Sequence, residues 1–457
     1  GVPMIEPVCP ELQKFYDIFD SVDQTKVSEF KDFLEANAVN FNLFKEGNFI
    51  ERSFPFDVIP RIIPKSEFDE LEAGIIQRVK ALNAFLNDIY NDQKIVKDGV
   101  VPREYVDSAK AFLPEFMGVN PPKGVRTHIS GIDLVKDAVS GKWVILEDNL
   151  RVPSGVSYPL TIRRAFRHTY PEFFESMKIS KIKHYGDELK AAMDYVNTGG
   201  LNVVLTPGRY NSAYYEHSYL AKITGATLAL GDDLVVENDE VFLCAYNGEK
   251  LRVGAIYRRL DDDFLDPEAF EADSLIGVKG ITKAYRAGNV AIMNSIGNGV
   301  ADDKGIYYFV PEMVKYYLNE EPILSNAPTY LPYYEKDREY VLANIDKLVI
   351  KDVAEAGGYG VLFGNRLSPE KRSEIIEMIL AEPRRWIAQE VIEFYDLPCM
   401  MEDQILPRKA DLRAYVIYGE KVTVSMGGLT RYAMEEGNYL VNSSQGGGFK
   451  DTWVVEL

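Results

Sequence analysis

Glu147, Asp148 and Asn149 close an apolar run in WVILEDNLRVPSG (Trp143 to Gly155), so two carboxylates and an amide emerge where a strand leaves a core. Strand side chains alternate between faces, which sets Glu147, Asn149 and Arg151 on one side. Upstream, VRTHISGIDLV (Val125 to Val135) also reads as a strand, with Asp137 to Gly141 as the turn between the two. A hairpin centred on Ser140 places Asp133 across from Glu147, whereas a tight Ser140-Gly141 turn places it across from Asp148. In the first register Asp133, Glu147 and Asn149 converge as hard oxygen donors, the kind Mg²⁺ takes when it also holds phosphate. A merely solvated acidic strand end has the same composition. The rest of the chain must therefore supply a phosphate side to the chemistry.

Two later stretches offer one. NVAIMNSIGNGVADDKG, from Asn289, reads as a strand, a glycine-rich turn and Lys304 at a helix start; it lacks Walker spacing, but backbone amides and a lysine suit phosphate. KLVIKDVAEAGGYGVLF (Lys347 to Phe363) puts Lys351 at a strand end and Gly357, Gly358, Tyr359 and Gly360 in a loop before another strand, a device able to fold over a triphosphate, although a plain hairpin reads the same way. RWIAQEVIEF (Arg385 to Phe394) reads as a buried strand holding Gln389 and Glu390, whose backbone edge suits an adenine between apolar walls. Leu251 to Leu260 ends in Arg258 and Arg259, a fork for a carboxylate or phosphate as well as an ordinary charge cluster with Asp261 to Asp263. The strand-rich carboxy-terminal part carries Asp411, Arg413, Arg431, Ser443, Ser444, Gly446 to Gly448 and Lys450, a composition fitting an anion-binding surface.

These residues need a scaffold. Residues 1 to 53 read as a helical lead-in, with Leu12, Phe15, Phe19, Val27, Phe30 and Leu34 at helical spacing. Phe68, Leu71, Ile75, Val79, Leu82, Leu86 and Ile89 repeat at three and four and predict one long helix starting near Ser66; its polar Gln77, Arg78 and Asn83 face either solvent or a ligand. A second helix follows Pro102, and a long polar helical region spans Leu160 to Asn197 up to Gly199-Gly200. LNVVLTPG, a helix over Ala213 to Ile223 and strand-like segments at Thr227 to Leu230 and Leu234 to Tyr246 follow the grammar of a doubly wound α/β unit without the dinucleotide glycine fingerprint.

With 457 residues, 46% hydrophobic and 26% charged, the chain has the composition of a soluble globular protein of two to four domains. A net charge of −19 argues against nucleic acid as the main partner. No apolar run is long enough for a bilayer and no export signal is visible, and three scattered cysteines suggest neither a disulfide framework nor a thiolate zinc site, so the expected setting is cytoplasmic.

The ordered set EDNLRVPSG, AYRAGN, GVADDKGIYYFVPE, GGYGV, IAQE, DLRAYV, GGLTR and NSSQGGGFKDTW resembles the circularly permuted ATP-grasp proteins, a family similar to glutathionylspermidine synthase and the eukaryotic type of glutathione synthetase. The resemblance implies an α/β (α+β) architecture: a permuted ATP-grasp fold with an inserted doubly wound α/β domain. Its expected parts are the lead-in 1–53, a portion with the metal-binding hairpin at 54–198, a central substrate domain at 199–335 and a nucleotide-binding portion at 336–457. It implies ATP and Mg²⁺, with Asp133, Glu147 and Asn149 as metal ligands, Lys304 and Lys351 on the nucleotide phosphates, Gly357 to Gly360 as phosphate cover and Gln389-Glu390 as adenine hinge. Arg258 matches a substrate or γ-phosphate arginine, and Lys450 a late cation near the nucleotide. Related ligases often carry arginine two residues before the metal-binding aspartate; this chain has Gly131, which leaves Arg151 or Arg413 to replace it. The implied reaction is ligation of a small-molecule or peptide carboxylate to an amine at the expense of ATP, with a catalytically silent nucleotide-binding protein and a phosphotransferase as the alternatives.

Overall fold

The computed structural model describes residues 3–19, 23–37, 40–45, 48–53, 55–353, 360–435 and 447–457. Its mixed α/β architecture is assembled around the helix Lys65–Ile89, whose seven apolar positions at three- and four-residue spacing are all buried. Gln77, Arg78 and Asn83 on that helix meet neither solvent nor an open cleft. Gln77 binds the backbone of Glu321 (3.0 Å) and Ile323 (2.9 Å), Arg78 forks Asp148, and Asn83 accepts from the Arg126 amide (2.8 Å). Buried polar groups of this kind are retained because each finds a partner.

The helix packs on a nine-stranded sheet in which Ser325–Asn326, Trp143–Asn149, Ile129–Lys136, Gln404–Tyr418, Leu429–Tyr432, Gly448–Val455 and Arg61–Pro64 are neighbours in that order. Strands from the early and the late chain lie side by side within this one sheet. A second sheet of six strands has a parallel centre, Leu201–Leu205 beside Lys250–Arg258, with Thr227–Ala229 and Ala291–Met293 also parallel. A third sheet is four-stranded and antiparallel: Thr329–Tyr330, Trp386–Glu390, Leu348–Asp352 and Val361–Phe363.

Three stretches depart from the expected elements. Leu234 to Tyr246 is a hairpin, Leu234–Glu237 with Glu240–Cys244, because Asn238 and Asp239 take positive φ (51° and 59°) and reverse the chain. The lead-in holds two helices, Pro10–Ile18 and Gln24–Ala36, but continues into paired strands Asn40–Lys45 and Asn48–Ser53; helical spacing of apolar residues ends at Leu34, and Phe41 and Leu43 alternate instead. The polar helical region divides into Ser157–Thr169, Pro171–Ser176 and Tyr185–Val196, since Pro171 cannot continue the first helix. Among the described residues no helix is long and apolar enough to cross a membrane.

Lys450, on the strand Gly448–Val455, is completely buried and donates to Asp57 (2.7 Å) and to the carbonyls of Ile59 (3.0 Å) and Pro398 (2.7 Å), pinning three distant segments. Removing one member of such a pair leaves the other charge buried alone. Lys450→Met should cost about 3–5 kcal/mol of unfolding free energy, and Asp57→Asn in the same chain should recover part of it; denaturant titration of the three variants checks both outcomes.

Candidate active site

Strict alternation along Trp143–Asn149 would ruin the expected carboxylate pair. Trp143 and Ile145 pack in the cluster beneath the long helix, while Val144 and Leu146 pack on the opposite face, so Glu147 would return to the helix side. A bulge prevents this. Near the turn the pairing is Lys136↔Trp143 and Leu134↔Ile145, but Asp133 pairs with Glu147, leaving Leu146 extra. Leu146 and Glu147 consequently both line the cleft, and Asp148 takes the helix side, where Arg78 holds it through two 2.7 Å hydrogen bonds. The turn itself spans Asp137 to Lys142, closed by the Asp137 amide on the Lys142 carbonyl (2.8 Å), with Gly141 at φ +73°.

Asp133 is heavily engaged. Arg413, its partner in the adjoining strand, donates Nε to Oδ1 (2.8 Å) and Nη2 to Oδ2 (3.1 Å), Arg431 lies 3.2 Å from Oδ2, and the Asn149 amide donates to the same oxygen (3.2 Å). Burial opposes ionisation of Asp133, yet the two guanidiniums outweigh it and hold the carboxyl at about 2. Gly131 leaves room for this arrangement: a Cβ there would meet Pro153 at 3.1 Å and the Arg413 stem at 3.4 Å. Arg413, not Arg151, therefore occupies the space beside Gly131. Glu147 keeps an open carboxylate; enclosure by the cleft and then the Asp133 charge push its pKa up, against the pull of Arg413, Lys351 and Lys304.

One cleft of about 390 Å³ joins these groups to residues from far later in the chain. Asp133, Glu147, Lys304, Lys351, Gln389 and Glu390 all line it, with Val349, Val361, Phe363, Ile387 and Ile392 as apolar wall. Lys304 opens the short helix Lys304–Tyr307, capped by Asp303. Lys351 donates to Gln389 Oε1 (2.6 Å), and Gln389 donates in turn to Thr329 (3.0 Å). Burial, reinforced by the neighbouring Lys304, depresses Lys351 to about 8, with Glu147 pulling the other way. The Glu390 carboxylate is turned to the hydroxyls of Tyr330 (2.9 Å) and Tyr340 (2.8 Å).

Other expected residues lie elsewhere. Arg151 stands at the rim, half exposed, paired with Asp302 (3.1 Å) and Asp261 (3.8 Å). Arg258 is buried against Asp262 (2.7 Å) and does not line the cleft, nor does Lys450. Arg259 binds Glu216 (3.1 Å) and the Pro153 carbonyl (2.9 Å), and Glu216 also accepts the amides of Gly155 and Ser157, so this fork moors the loop after the hairpin to the central sheet. Gly357, Gly358 and Tyr359 lie outside the described residues, as do Ser443, Ser444 and Gly446; Gly360 is described, at φ +57°. Asp302 also lines the cleft, buried, accepting from the Leu150 amide (2.7 Å) and Arg151, and burial pushes its carboxyl up to about 8. Its only sequence signal was its place in GVADDKG beside Lys304.

Among the described residues no three Asp, Glu, His or Cys side chains form a ready-made metal cage. The donor set nonetheless fits Mg²⁺ arriving with phosphate oxygens, which needs one or two carboxylates rather than a cage: Glu147 is open and Asn149 adds an amide, while Asp133 orients the amide nitrogen. The arrangement brings two lysines and the open Glu147 carboxylate into one cleft beside an apolar wall.

A protein of Synechocystis sp., named only as uncharacterized, is 49% identical over 423 residues, covering 92% of this chain and 88% of its own. A Mycobacterium tuberculosis protein, also named as uncharacterized, is 46% identical over 412 residues, covering 89% and 74%. A Frankia casuarinae protein named provisionally as glutamate–cysteine ligase 2-2 is 40% identical over 413 residues; the match covers 89% of this chain but only 48% of that longer protein. A solved structure of a glutathione synthetase-like effector from Globodera pallida superposes with a TM-score of 0.58 at 12% identity, covering 94% of this chain and 96% of that one, a likeness of fold. Residues 60–433 match the family model for circularly permuted ATP-grasp type 2, and the chain belongs to that family.

Proposed function

We propose that this protein is an ATP-dependent carboxylate–amine ligase that joins a small-molecule or peptide acid to an amine through an acyl phosphate. The observation that carries the reading is the single cleft in which Glu147 faces Lys304 and Lys351 beside an apolar wall. That wall suits a purine face, and the two lysines suit its phosphates. Glu147 and Asn149, together with Asp133, would hold Mg²⁺, which when bound would supply positive charge to the nucleotide phosphates. A substrate carboxylate oxygen attacks the γ-phosphorus and ADP leaves; the amine nitrogen then attacks the acyl carbon, phosphate departs and the amine loses a proton. Lys304 and Lys351 oppose the charge that moves onto the phosphate chain during the first step. Arg413 and Arg431 keep Asp133 ionised and in place. The ligase name given to the Frankia relative belongs to the same reaction class. The likeness to glutathionylspermidine synthase suggests polyamines among the amines to screen, alongside amino acids and peptides.

Carboxylate substrate labelled with ¹⁸O should transfer one label to the released phosphate; unlabelled phosphate would overturn the acyl-phosphate route, and a stable phosphate ester would identify a phosphotransferase. Glu147→Gln should lower ATP turnover about 100-fold or more while leaving the melting temperature nearly unchanged, since this exposed side chain holds no structural partner among the described contacts. Lys351 is cationic below its depressed pKa of about 8 and neutral above it, so ATP affinity should fall as pH rises through that value. Lys351→Arg should abolish that alkaline limb; its persistence would assign the titration to another group.

A further inference from the structure

Asp303 directs its two carboxylate oxygens to different parts of the fold. Oδ1 accepts from the amides of Gly305 (2.7 Å) and Ile306 (3.1 Å), capping the turn that begins at Lys304. Oδ2 accepts from Arg384 Nη2 (3.1 Å). Arg384 belongs to Pro383–Arg385, the turn leading into Trp386–Glu390, so it projects from the same sheet that carries Lys351 and Gln389. Its guanidinium also donates to the Tyr105 carbonyl (2.9 Å) and Ser108 Oγ (3.0 Å) and lies 4.1 Å above the Tyr105 ring. Both members of the Arg384–Asp303 pair are about nine-tenths buried, with 11% and 10% of the side chains exposed.

The sequence around Lys304 is shaped to admit this arginine. A Cβ on Gly305 would stand 2.7 Å from Arg384 Nη1 and 2.6 Å from Tyr105 Cε1, so any larger residue there displaces the guanidinium or the ring. At the other end of the same turn the Tyr307 hydroxyl donates to the Ile145 carbonyl, just before the bulge, and accepts from the Ala327 amide (3.0 Å). The turn bearing Lys304 is therefore held to the carboxylate hairpin at one end and to the four-stranded sheet at the other. Arg384 meets the three acceptors through two separate nitrogens while its plane lies over the Tyr105 ring, a combination that a lysine ammonium lacks.

We propose that Arg384 is a positioning residue that locks the four-stranded sheet to the Lys304 turn through Asp303, so that Lys304 and Lys351 face one phosphate chain. The proposal rests on the ATP-binding reading above. If Arg384 acts through Lys304, removing both loses no more than removing Lys304 alone.

Calorimetric titration of MgATP into wild type, Arg384→Met, Lys304→Met and the double variant tests this. Arg384→Met should weaken ATP about tenfold, and the double variant should match Lys304→Met; losses that multiply would overturn the proposal. Hydrogen exchange in the nucleotide-free protein gives a readout independent of ATP: the amides of Gly305 and Ile306 should exchange faster in Arg384→Met, and unchanged exchange would overturn it. Gly305→Ala keeps the arginine but crowds it, and should reproduce the loss of ATP affinity without removing a charge. If wild type takes up no MgATP, the ligase reading falls, and the latch then stands or falls on the exchange of those two amides.

Discussion

Arg78 holds Asp148 through two short hydrogen bonds inside the packing between the long helix and the nine-stranded sheet, and that ion pair fixes where the neighbouring side chains point. A carboxylate buried on the helix side is stable there only with a partner of this quality. With Asp148 committed to the helix face, Glu147 and Asn149 must face the other way, and the chain accommodates Val144 and Leu146 on that same face only by inserting one residue. The bulge is thus where the demands of the core and the needs of the cleft are reconciled. Bulges commonly re-aim a side chain next to a functional site.

Charge in the cleft is arranged in two layers. Behind the surface, Arg413 and Arg431 neutralise Asp133, Arg431 also binds Asp411 (2.6 Å), and Arg78 neutralises Asp148, so most of the carboxylates around the hairpin are already matched. At the surface, Lys304 and Lys351 both act on the Glu147 carboxylate, and Lys304 and Glu147 both act on Lys351. A field of this kind is fixed by the fold before any ligand arrives. The cleft lining combines Lys304, Lys351 and Arg431 with six carboxylates, of which Asp133, Asp148, Asp302 and Asp411 are paired with arginines.

The three sheets divide the labour. The nine-stranded sheet supplies carboxylates, the four-stranded sheet supplies Lys351, Gln389 and most of the apolar wall, and the chain leaving the central parallel sheet supplies Lys304. Because Lys304 sits on a turn after Ala291–Met293, its position depends on contacts with both other sheets, through Asp303 and Tyr307. Arg259 on Glu216, which moors the loop after the hairpin to the central sheet, and Lys450 on Asp57, which ties segments within the nine-stranded sheet, are charged and fully enclosed, and both serve the fold where the sequence suggests ligand chemistry.

The long helix, the carboxylate hairpin and the doubly wound unit were legible in the sequence because each rests on local periodicity or turn chemistry, which neighbouring residues determine. Glu147 and Lys351 stood out because each closes an apolar run, Asp133 because a hairpin centred on Ser140 sets it across from Glu147, and Lys304 because it follows a glycine-rich turn. Which cations reach the cleft was not local. Arg258, Arg259 and Lys450 look in sequence like Arg413 and Arg431, yet burial against Asp262, Glu216 and Asp57 removes the first three from it, while strand pairing sets Arg413 beside Asp133. Asp302 and Arg384 left almost no trace in the sequence, since what distinguishes them is a partner hundreds of residues or one sheet away. Side-chain type and spacing determined the chemistry available to this chain; only tertiary packing decided which charges are spent holding the fold and which remain to meet a ligand, because a buried charge must be paired by whatever the fold brings to it.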